Sequence, residues 1–568
     1  MKLEFSRNDF YKFKYEPITK KDYLKQINFE RQKLKFYLDI LPKQLNLLIN
    51  KKYSKKFWAT ILDFFLLYHI SICRGYYFSI NKLRKKKSIY YFRILNPKYY
   101  YNPKDIQDYR NFFQKSTLGD EQFFSAFVNF FFKKNKINLF YKKEKKKNTI
   151  EEIKKKNFNF IFYKRLINKI LNFTIKPKAM ITGCYWKFID KIDININSRG
   201  KILCRDFFIS VNKKKFNLIL RKKLLNNILR NNRNQISEFD KFFFNTLIFS
   251  MPISLLENIK CRINFTENFL DQNKNIKIIV NENLSEDNLL LIAISRLRFI
   301  KTFYLEHNAL QIQNIGNIIK LIKVKFDKYF TLGWKHKNNF FISAGSNYKW
   351  SDNTFYKKYC QKYLFISGFP ELNPPYLRST YSDAGVFNSN KWYLNNITFF
   401  KCLSKPAQKR IVFKEYPNIF NNLVHNNYKK FINFISKNYK INFLRTNEIY
   451  STPGLISSAK LVIINNLSTP YLQSLISNSP TIIFCNYQNT YLVKNFNNFY
   501  FCLVRANILH KNGYSAAKFI NKLINDNKIN EWWNSESTQK ARKLFLKKNL
   551  DLSKNLSHLL IKEINNLS

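Results

Sequence analysis

Between residues 363 and 484 five short apolar runs recur: YLFISGF (363–369), RIVFKE (410–415), INFL (441–444), LVII (461–464) and TIIF (481–484). Helical spacing fills the gaps, with helices expected at 390–404, 418–438, 453–459, 470–478 and, after the last run, 515–525. Short runs rich in Ile, Val, Leu and Phe read as strands buried on both faces. Strand, helix, strand at this spacing makes right-handed βαβ units, hence a parallel, Rossmann-like sheet. Pro417, Pro453, Pro470 and Pro480 each fall at an expected element boundary, where a missing N–H costs least.

A shorter series precedes it. KAMITGC (178–184), KIIV (277–280) and KTFYLEHN (301–308) read as strands, with a helix from 286 (EDNLLLIAISRLRF) between the last two. The stretch 320–360, with Asp327, Gly333, Trp334 and Gly345, reads as a connection between two such domains. Residues 1–50 look helical, 57–83 form a long aromatic helix, and 531–568 form a helical tail expected to pack back across the domain junction. The expected fold class is α/β, with two Rossmann-like domains facing across a cleft, a helical N-terminal region and a C-terminal helical tail. The expected boundaries are 1–175 for the helical region and its lysine-rich insert, 176–350 for the first Rossmann-like domain and 351–568 for the second.

The 568 residues hold 45% hydrophobics, enough for a buried core, and Lys+Arg 99 against Asp+Glu 37, a formal charge of 99 − 37 = +62. Only 20 of the 99 cations are Arg, whereas sequence-specific nucleic-acid readers lean on Arg for bidentate contacts. Lys, Asn, Ile, Phe and Tyr are the residues of A/T-rich codons, so genome composition accounts for much of the excess. Lysine runs at 85–87, 145–147 and 154–156 read as solvated faces. A charge of this size still draws a protein to anionic headgroups. The eight cysteines contain no C-x-x-C pair and sit mostly in apolar runs, as buried free thiols of a reducing compartment do. The N-terminus lacks an apolar stretch, and the apolar segment 57–73 contains Asp63 and His69, so it reads as a buried helix rather than a span. The expected location is cytoplasmic, peripheral at the inner face of the membrane.

Absences narrow the chemistry. The 11 glycines never fall in G-x-G-x-x-G or G-x-x-x-x-G-K spacing, which excludes the usual dinucleotide and P-loop sites. No H-E-x-x-H, G-x-S-x-G or D-x-D occurs, so no metal and no resident cofactor is expected. What remains is a helix start used twice: Ser451-Thr452-Pro453 and Ser468-Thr469-Pro470. The second follows LVIINN, and a helix start at the carboxyl edge of a parallel sheet offers free N–H groups and positive dipole to an anion. Ser468 and Thr469, with Lys414 or Arg410 and Arg445, are therefore the candidates for holding a diphosphate without metal. His307, beside Glu306 at the end of a strand, is the candidate general base, the carboxylate orienting the imidazole. Glu415 and Glu448 are further acids near strand ends. Trp532-Trp533 reads as an anchor for the tail.

The run STPGLISSAKLVIINNLSTPYLQSLISNSPTIIFCN, followed by SAAKFINKLI and INEWWNSESTQKARKLF, resembles a bacterial family of transferases found in surface-polysaccharide and lipopolysaccharide gene clusters. KFWATILDFFLLYHISICRGYYFSI (56–80), EFDKFFFNTLIFSMPISLLENIK (238–260), DKYFTLGW (327–334) and RIVFKEYP (410–417) fit the same pattern in order. That family is taken as glycosyltransferase-like, of the two-Rossmann GT-B type. The resemblance implies a glycosyltransferase (EC 2.4 type) moving a sugar from a nucleotide-sugar donor in the second domain to a glycan or lipid-linked acceptor in the first. The family's Gln-His-Gly-Gly turn stands here as Glu306-His307-Asn308-Ala309, and its helix Glu as Gln473, an amide that donates and accepts without charge. Two readings compete with this one: a nucleic-acid binder, and a catalytically inactive scaffold of the same fold.

Overall fold

The computed structural model describes residues 2–4, 20–84, 89–114, 117–132, 139–142, 176–184, 186, 188–212, 214–306, 317–335, 337–345, 354–368, 389–415, 423–444, 450–467, 469–485, 494–550 and 556–566. Three sheets occur among them, all built from parallel pairs. β1 (Lys2–Glu4), β2 (Ile89–Leu95) and β3 (Leu139–Lys142) make a small sheet in that order. β4 (Ala179–Thr182), β5 (Ile202–Cys204), β6 (Ile278–Asn281), β7 (Lys301–Leu305), β8 (Lys328–Thr331) and β9 (Phe341–Ser343) make the first large sheet, in the order β5-β4-β6-β7-β8-β9. β10 (Tyr363–Ile366), β11 (Ile411–Lys414), β12 (Asn442–Leu444), β13 (Leu461–Ile464), β14 (Thr481–Phe484) and β15 (Leu509–His510) make the second, in the order β12-β11-β10-β13-β14-β15. Counted within its own lobe the second sheet runs 3-2-1-4-5-6, the Rossmann order, and the first runs 2-1-3-4-5-6, with its reversal one strand earlier. The expected two Rossmann-like units are thus present.

Three expectations need correction. The stretch 320–360 is no simple connection: the helix Asn317–Lys325, β8 and β9 within it belong to the first sheet. These strands are only three or four residues long and β8 opens on a lysine, so no apolar run marks them. The second sheet has a sixth strand, the two-residue β15, preceded by the helix Lys494–Arg505. The N-terminal region also contributes strands, since residues 2–4 are β1 rather than helix. The lysine runs 85–87, 145–147 and 154–156 lie outside the described residues.

The helices Lys20–Ile49 and Lys55–Arg84 share one core with Thr117–Phe132, Glu238–Ser250 and Glu286–Leu297, so the N-terminal region is a helical layer on the first lobe. Residues 55–78 are long and apolar enough to cross a membrane, yet 78% of that apolar window is buried inside the fold. Its polar residues are met there. Asp63 pairs with Lys325 from the first lobe, both fully out of water, and burial pushes the carboxyl up and the ammonium down while each charge opposes the other's shift. His69 meets the Tyr109 hydroxyl through Nδ1 and the Thr246 hydroxyl through Nε2, each at 3.1 Å. Arg221 grips Glu257 with two bonds of 2.7 Å, and Lys33 reaches Asp240 at 2.7 Å. Burying a charge without a partner costs several kcal/mol, so these pairs fix which helix faces which.

The tail crosses between lobes, as expected. Leu556, Leu560 and Ile564 of the helix Leu556–Asn565 join Ile181, Val280, Phe303 and Phe330 in the core of the first sheet. An antiparallel bridge links Gly333 to Leu550. Trp533 Nε1 donates to the Asn478 carbonyl at 2.9 Å and Trp532 Nε1 to that of Ala506 at 3.0 Å, so the tryptophan pair anchors the tail to the second lobe.

Burial pulls the His69 imidazole down to about 3 and that of His510 to about 4. Both folded values lie below the unfolded one near 6.5, so the unfolded chain takes up protons first as pH falls. The stability from keeping them neutral is complete above about pH 6.5 and is lost on the way down. Urea titrations between pH 6.5 and 5 should show stability falling by an amount approaching about 1.4 kcal/mol per pH unit for each histidine. His69→Gln should remove about half of that slope; an unchanged slope would show that His69 is protonated in the folded state.

Candidate functional site

In the second lobe the chain leaves β10 towards β11 and β12, then returns to place β13 on β10's other side. The next described helices, Ser389–Cys402 after β10 and Thr469–Ile476 after β13, pack on opposite faces of the sheet, the arrangement that places a crevice between the carboxyl ends of two such strands. Ser367 and Gly368 follow β10; Asn465 and Asn466 follow β13.

Asn465 spans the gap. Its Oδ1 accepts the Gly368 N–H at 2.6 Å, and its Nδ2 donates to Asn396 Oδ1 at 2.8 Å and to Ser367 Oγ at 3.4 Å. Asn396 lies on the helix Ser389–Cys402 and donates to the Trp392 carbonyl at 2.8 Å, so one buried amide ties both strand ends to a helix. At Gly368 the side chain of Asn466 occupies the space a Cβ would take. A Cβ there would stand 1.8 Å from Asn466 Nδ2.

Two residues singled out in the sequence border this crevice. Lys414, half-buried, ends β11 opposite Ile366 of β10. Thr469, half-buried, opens the helix Thr469–Ile476 directly after β13. Three adjacent strands, β11-β10-β13, thus carry Lys414, Ser367-Gly368 and Asn465 to Thr469 along one edge. Two interstrand spacings of about 4.8 Å put roughly 10 Å between the flanks, the reach of a diphosphate with its first sugar. Glu415 follows Lys414, half-buried, its N–H donating to the Leu444 carbonyl at 3.3 Å. Gln473, one turn into the helix, is buried. Ser468, Arg445 and Glu448 lie outside the described residues.

Arg410 does not belong to this edge. It precedes β11 and donates to the Tyr363 hydroxyl at 3.1 Å, where β10 begins, so strand polarity places it at the opposite end of the sheet from Lys414. The earlier S/T-P turn caps its helix as expected: Ser451 Oγ accepts from the Gly454 N–H at 3.1 Å.

The first lobe has its own reversal, between β4 and β6. Thr182 Oγ1 donates to Asn288 Oδ1 at 3.2 Å and accepts from the Phe207 N–H at 2.9 Å, while Asn281 Nδ2 donates to the Thr182 carbonyl at 3.3 Å. Gly183 turns there at φ +69°, a left-handed angle that suits glycine, with Asn288 Nδ2 2.5 Å from where a Cβ would sit. Glu306 follows β7 and is buried; its Oε2 accepts from the Leu332 N–H at 3.0 Å and from Trp334 Nε1 at 2.7 Å. The carboxylate thus clamps the end of β7 to the turn after β8. His307 lies outside the described residues.

Sequence reasoning passed over Ser367-Gly368, Asn465 and Thr182-Gly183. The signal was present as a hydroxyl–glycine pair closing the first strand of each lobe, and an asparagine closing the strand across the reversal.

A family model described as LIC12162 family transferase matches residues 2–564. No curated protein matches the sequence. Among solved structures, Staphylococcus aureus MnaA with UDP is similar at 10% identity and TM-score 0.39, over 69% of this chain and 96% of that one. The UDP-GlcNAc 2-epimerase of Methanocaldococcus jannaschii gives 13% and 0.38, over 68% and 99%. Anabaena Alr3699/HepE with UDP and glucose gives 9% and 0.37, over 69% and 100%. Likeness at this level carries no argument about the reaction.

Asn465→Ala should strip an acceptor from the Gly368 amide and a donor from Asn396. With two buried groups left unpaired, urea unfolding should show a loss of about 2–4 kcal/mol. A loss below about 0.5 kcal/mol would mean that the amide does not hold the two strand ends together.

Proposed function

The chain belongs to the LIC12162 family of transferases, and from that premise we propose that it is a metal-independent glycosyltransferase using a nucleotide-sugar donor. The observation that carries this reading is the strand reversal at β10 and β13, where Asn465 holds the Gly368 N–H at the carboxyl edge of the sheet, beside the start of the helix Thr469–Ile476. In this reading the diphosphate lies along the edge from Lys414 to Thr469. Lys414 and Arg445 neutralise charge, and the first-turn N–H groups of the helix Thr469–Ile476, with the Ser468 and Thr469 hydroxyls, bind the phosphate oxygens. As the bond from sugar to phosphate breaks, negative charge grows on the leaving oxygen, and groups already fixed in place stabilise it without reorganising. Glu415 and Gln473 offer an acceptor and an uncharged amide to donor hydroxyls.

The acceptor, a glycan or lipid-linked hydroxyl, would approach from the first lobe. His307 would take its proton as the oxygen attacks. Glu306 would serve as a positioning residue, because its clamp on Leu332 and Trp334 fixes the strand end from which residue 307 continues. Closure of the lobes would exclude water from the reacting centre. The donor sugar, its acceptor and a place in surface-polysaccharide synthesis at the inner face of the membrane belong to the same proposal.

Isothermal titration with nucleoside diphosphates, alongside turnover of a nucleotide-sugar panel, tests it. Gly368→Ala should weaken nucleotide binding about tenfold or more by displacing Asn466 into the crevice. His307→Ala should leave that binding intact and lower turnover by roughly 10²–10⁴-fold. No binding of any nucleoside diphosphate, or full turnover by the histidine variant, would contradict the respective assignment.

A further inference from the structure

From residue 207 to residue 237 the chain contains no Asp or Glu, yet it holds Lys213, Lys214, Lys215, Arg221, Lys222, Lys223, Arg230 and Arg233. In a protein with 37 acids that gap is conspicuous by chemistry rather than by number, because it falls on one surface element, the helix Leu218–Asn231 with the loop before it. Arg221 alone among the described cations there turns inward, held by Glu257 and by the carbonyls of Ile248 and Met251. Lys214, Lys215, Lys222, Lys223, Arg230 and Arg233 are exposed.

The same face carries apolar side chains in water. Ile219 is 82% exposed and Leu218 45%. Residues four apart share a helix face, so Leu218 stands over Lys222 and Ile219 over Lys223. The opposite face buries Leu224 and Ile228, and the helix borders an apolar groove lined by these two with Leu225, Phe244 and Leu247. The patch is held rigidly: Asn217 caps the helix by accepting from the Leu220 N–H at 3.0 Å, its own N–H donates to Glu257 at 3.0 Å, and the Lys214 N–H donates to Asn258 Oδ1 at 3.0 Å.

We propose that the helix Leu218–Asn231 docks the protein on an anionic lipid bilayer, with Leu218 and Ile219 entering the headgroup boundary and the flanking cations resting on lipid phosphates. Phosphates alone would account for the cations but give two exposed aliphatic side chains nothing to bury against. A bilayer surface supplies both an anionic plane and an apolar layer beneath it. Nucleic acid supplies the charge without the apolar layer; the helix itself carries no aromatic ring to stack on a base, and the exposed ring of Phe208 lies ten residues before it in the loop. The inference does not depend on which group the protein transfers.

Sedimentation of the full chain with phosphatidylcholine vesicles, with and without phosphatidylglycerol, tests it. Binding should require the anionic lipid. Lys222→Glu with Lys223→Glu should lower partitioning about tenfold or more. Leu218→Ser with Ile219→Ser, which leaves the charge alone, should lower it about fivefold. The charge-matched control Lys430→Glu with Lys437→Glu, exposed lysines of the second lobe, should change it little. Circular dichroism identifies any variant that fails to fold. An equal loss in the control would overturn the proposal in favour of diffuse attraction by the +62 charge. Unaltered binding by the serine pair would also overturn it, as would a patch variant that keeps its vesicle binding and loses single-stranded RNA binding.

Discussion

A gap that the chain cannot close governs the candidate site. β10 is the first strand of its lobe, and the strands that follow fill one side of it before β13 arrives on the other. Connections leaving two neighbouring parallel strands for opposite faces must separate, and the groups at their carboxyl ends are left around a crevice. Asn465 keeps that crevice from collapsing or drifting, since a single buried amide satisfies the backbone of Gly368 and the side chain of Asn396 together. The residues of the proposed donor site, from Lys414 on one flank to Thr469 on the other, take their places from this arrangement.

The first lobe reaches a similar end by different means. Its reversal comes one strand earlier, and Thr182, Gly183 and Asn281 form a small polar floor there. Around it the interior is heavily charged, with Asp63–Lys325 and Arg221–Glu257 out of water. Such pairs add little net stability, but removing one partner leaves a buried charge. Asp63–Lys325, together with Lys33 on Asp240, holds the N-terminal helices in register on the lobe, while Arg221–Glu257 ties the helix Leu218–Asn231 to the turn before residue 259. A helix apolar enough for a membrane span is thereby committed to the protein core, while the exposed helix Leu218–Asn231 presents the surface suited to a bilayer.

Much of this was legible in the residues. The five apolar runs of the second lobe became β10, β11, β12, β13 and β14, because strands buried on both faces need unbroken hydrophobic side chains and their breakers mark the ends. β5, β8, β9 and β15 escaped notice because two to four residues with polar neighbours carry no periodicity, and neighbouring strands rather than their own side chains define them. Thr469 and Lys414 could be anticipated from strand polarity, whereas Arg410, four residues before Lys414, falls at the wrong edge by the same rule. Asn465 and Gly368 could not be paired in advance, because 97 residues separate them and only the crossover brings them together. The clamp that Glu306 places on Trp334 was hidden for a similar reason.

Amide hydrogen exchange of the whole chain, with and without saturating UDP, addresses the central claim most directly, since it reports where a nucleotide rests without presupposing a reaction. Slowed exchange confined to the segments after β10 and β13, at Ser367-Gly368 and through the first turn of the helix Thr469–Ile476, is the result this account predicts. Protection centred on another surface, with those amides exchanging as before, would contradict it.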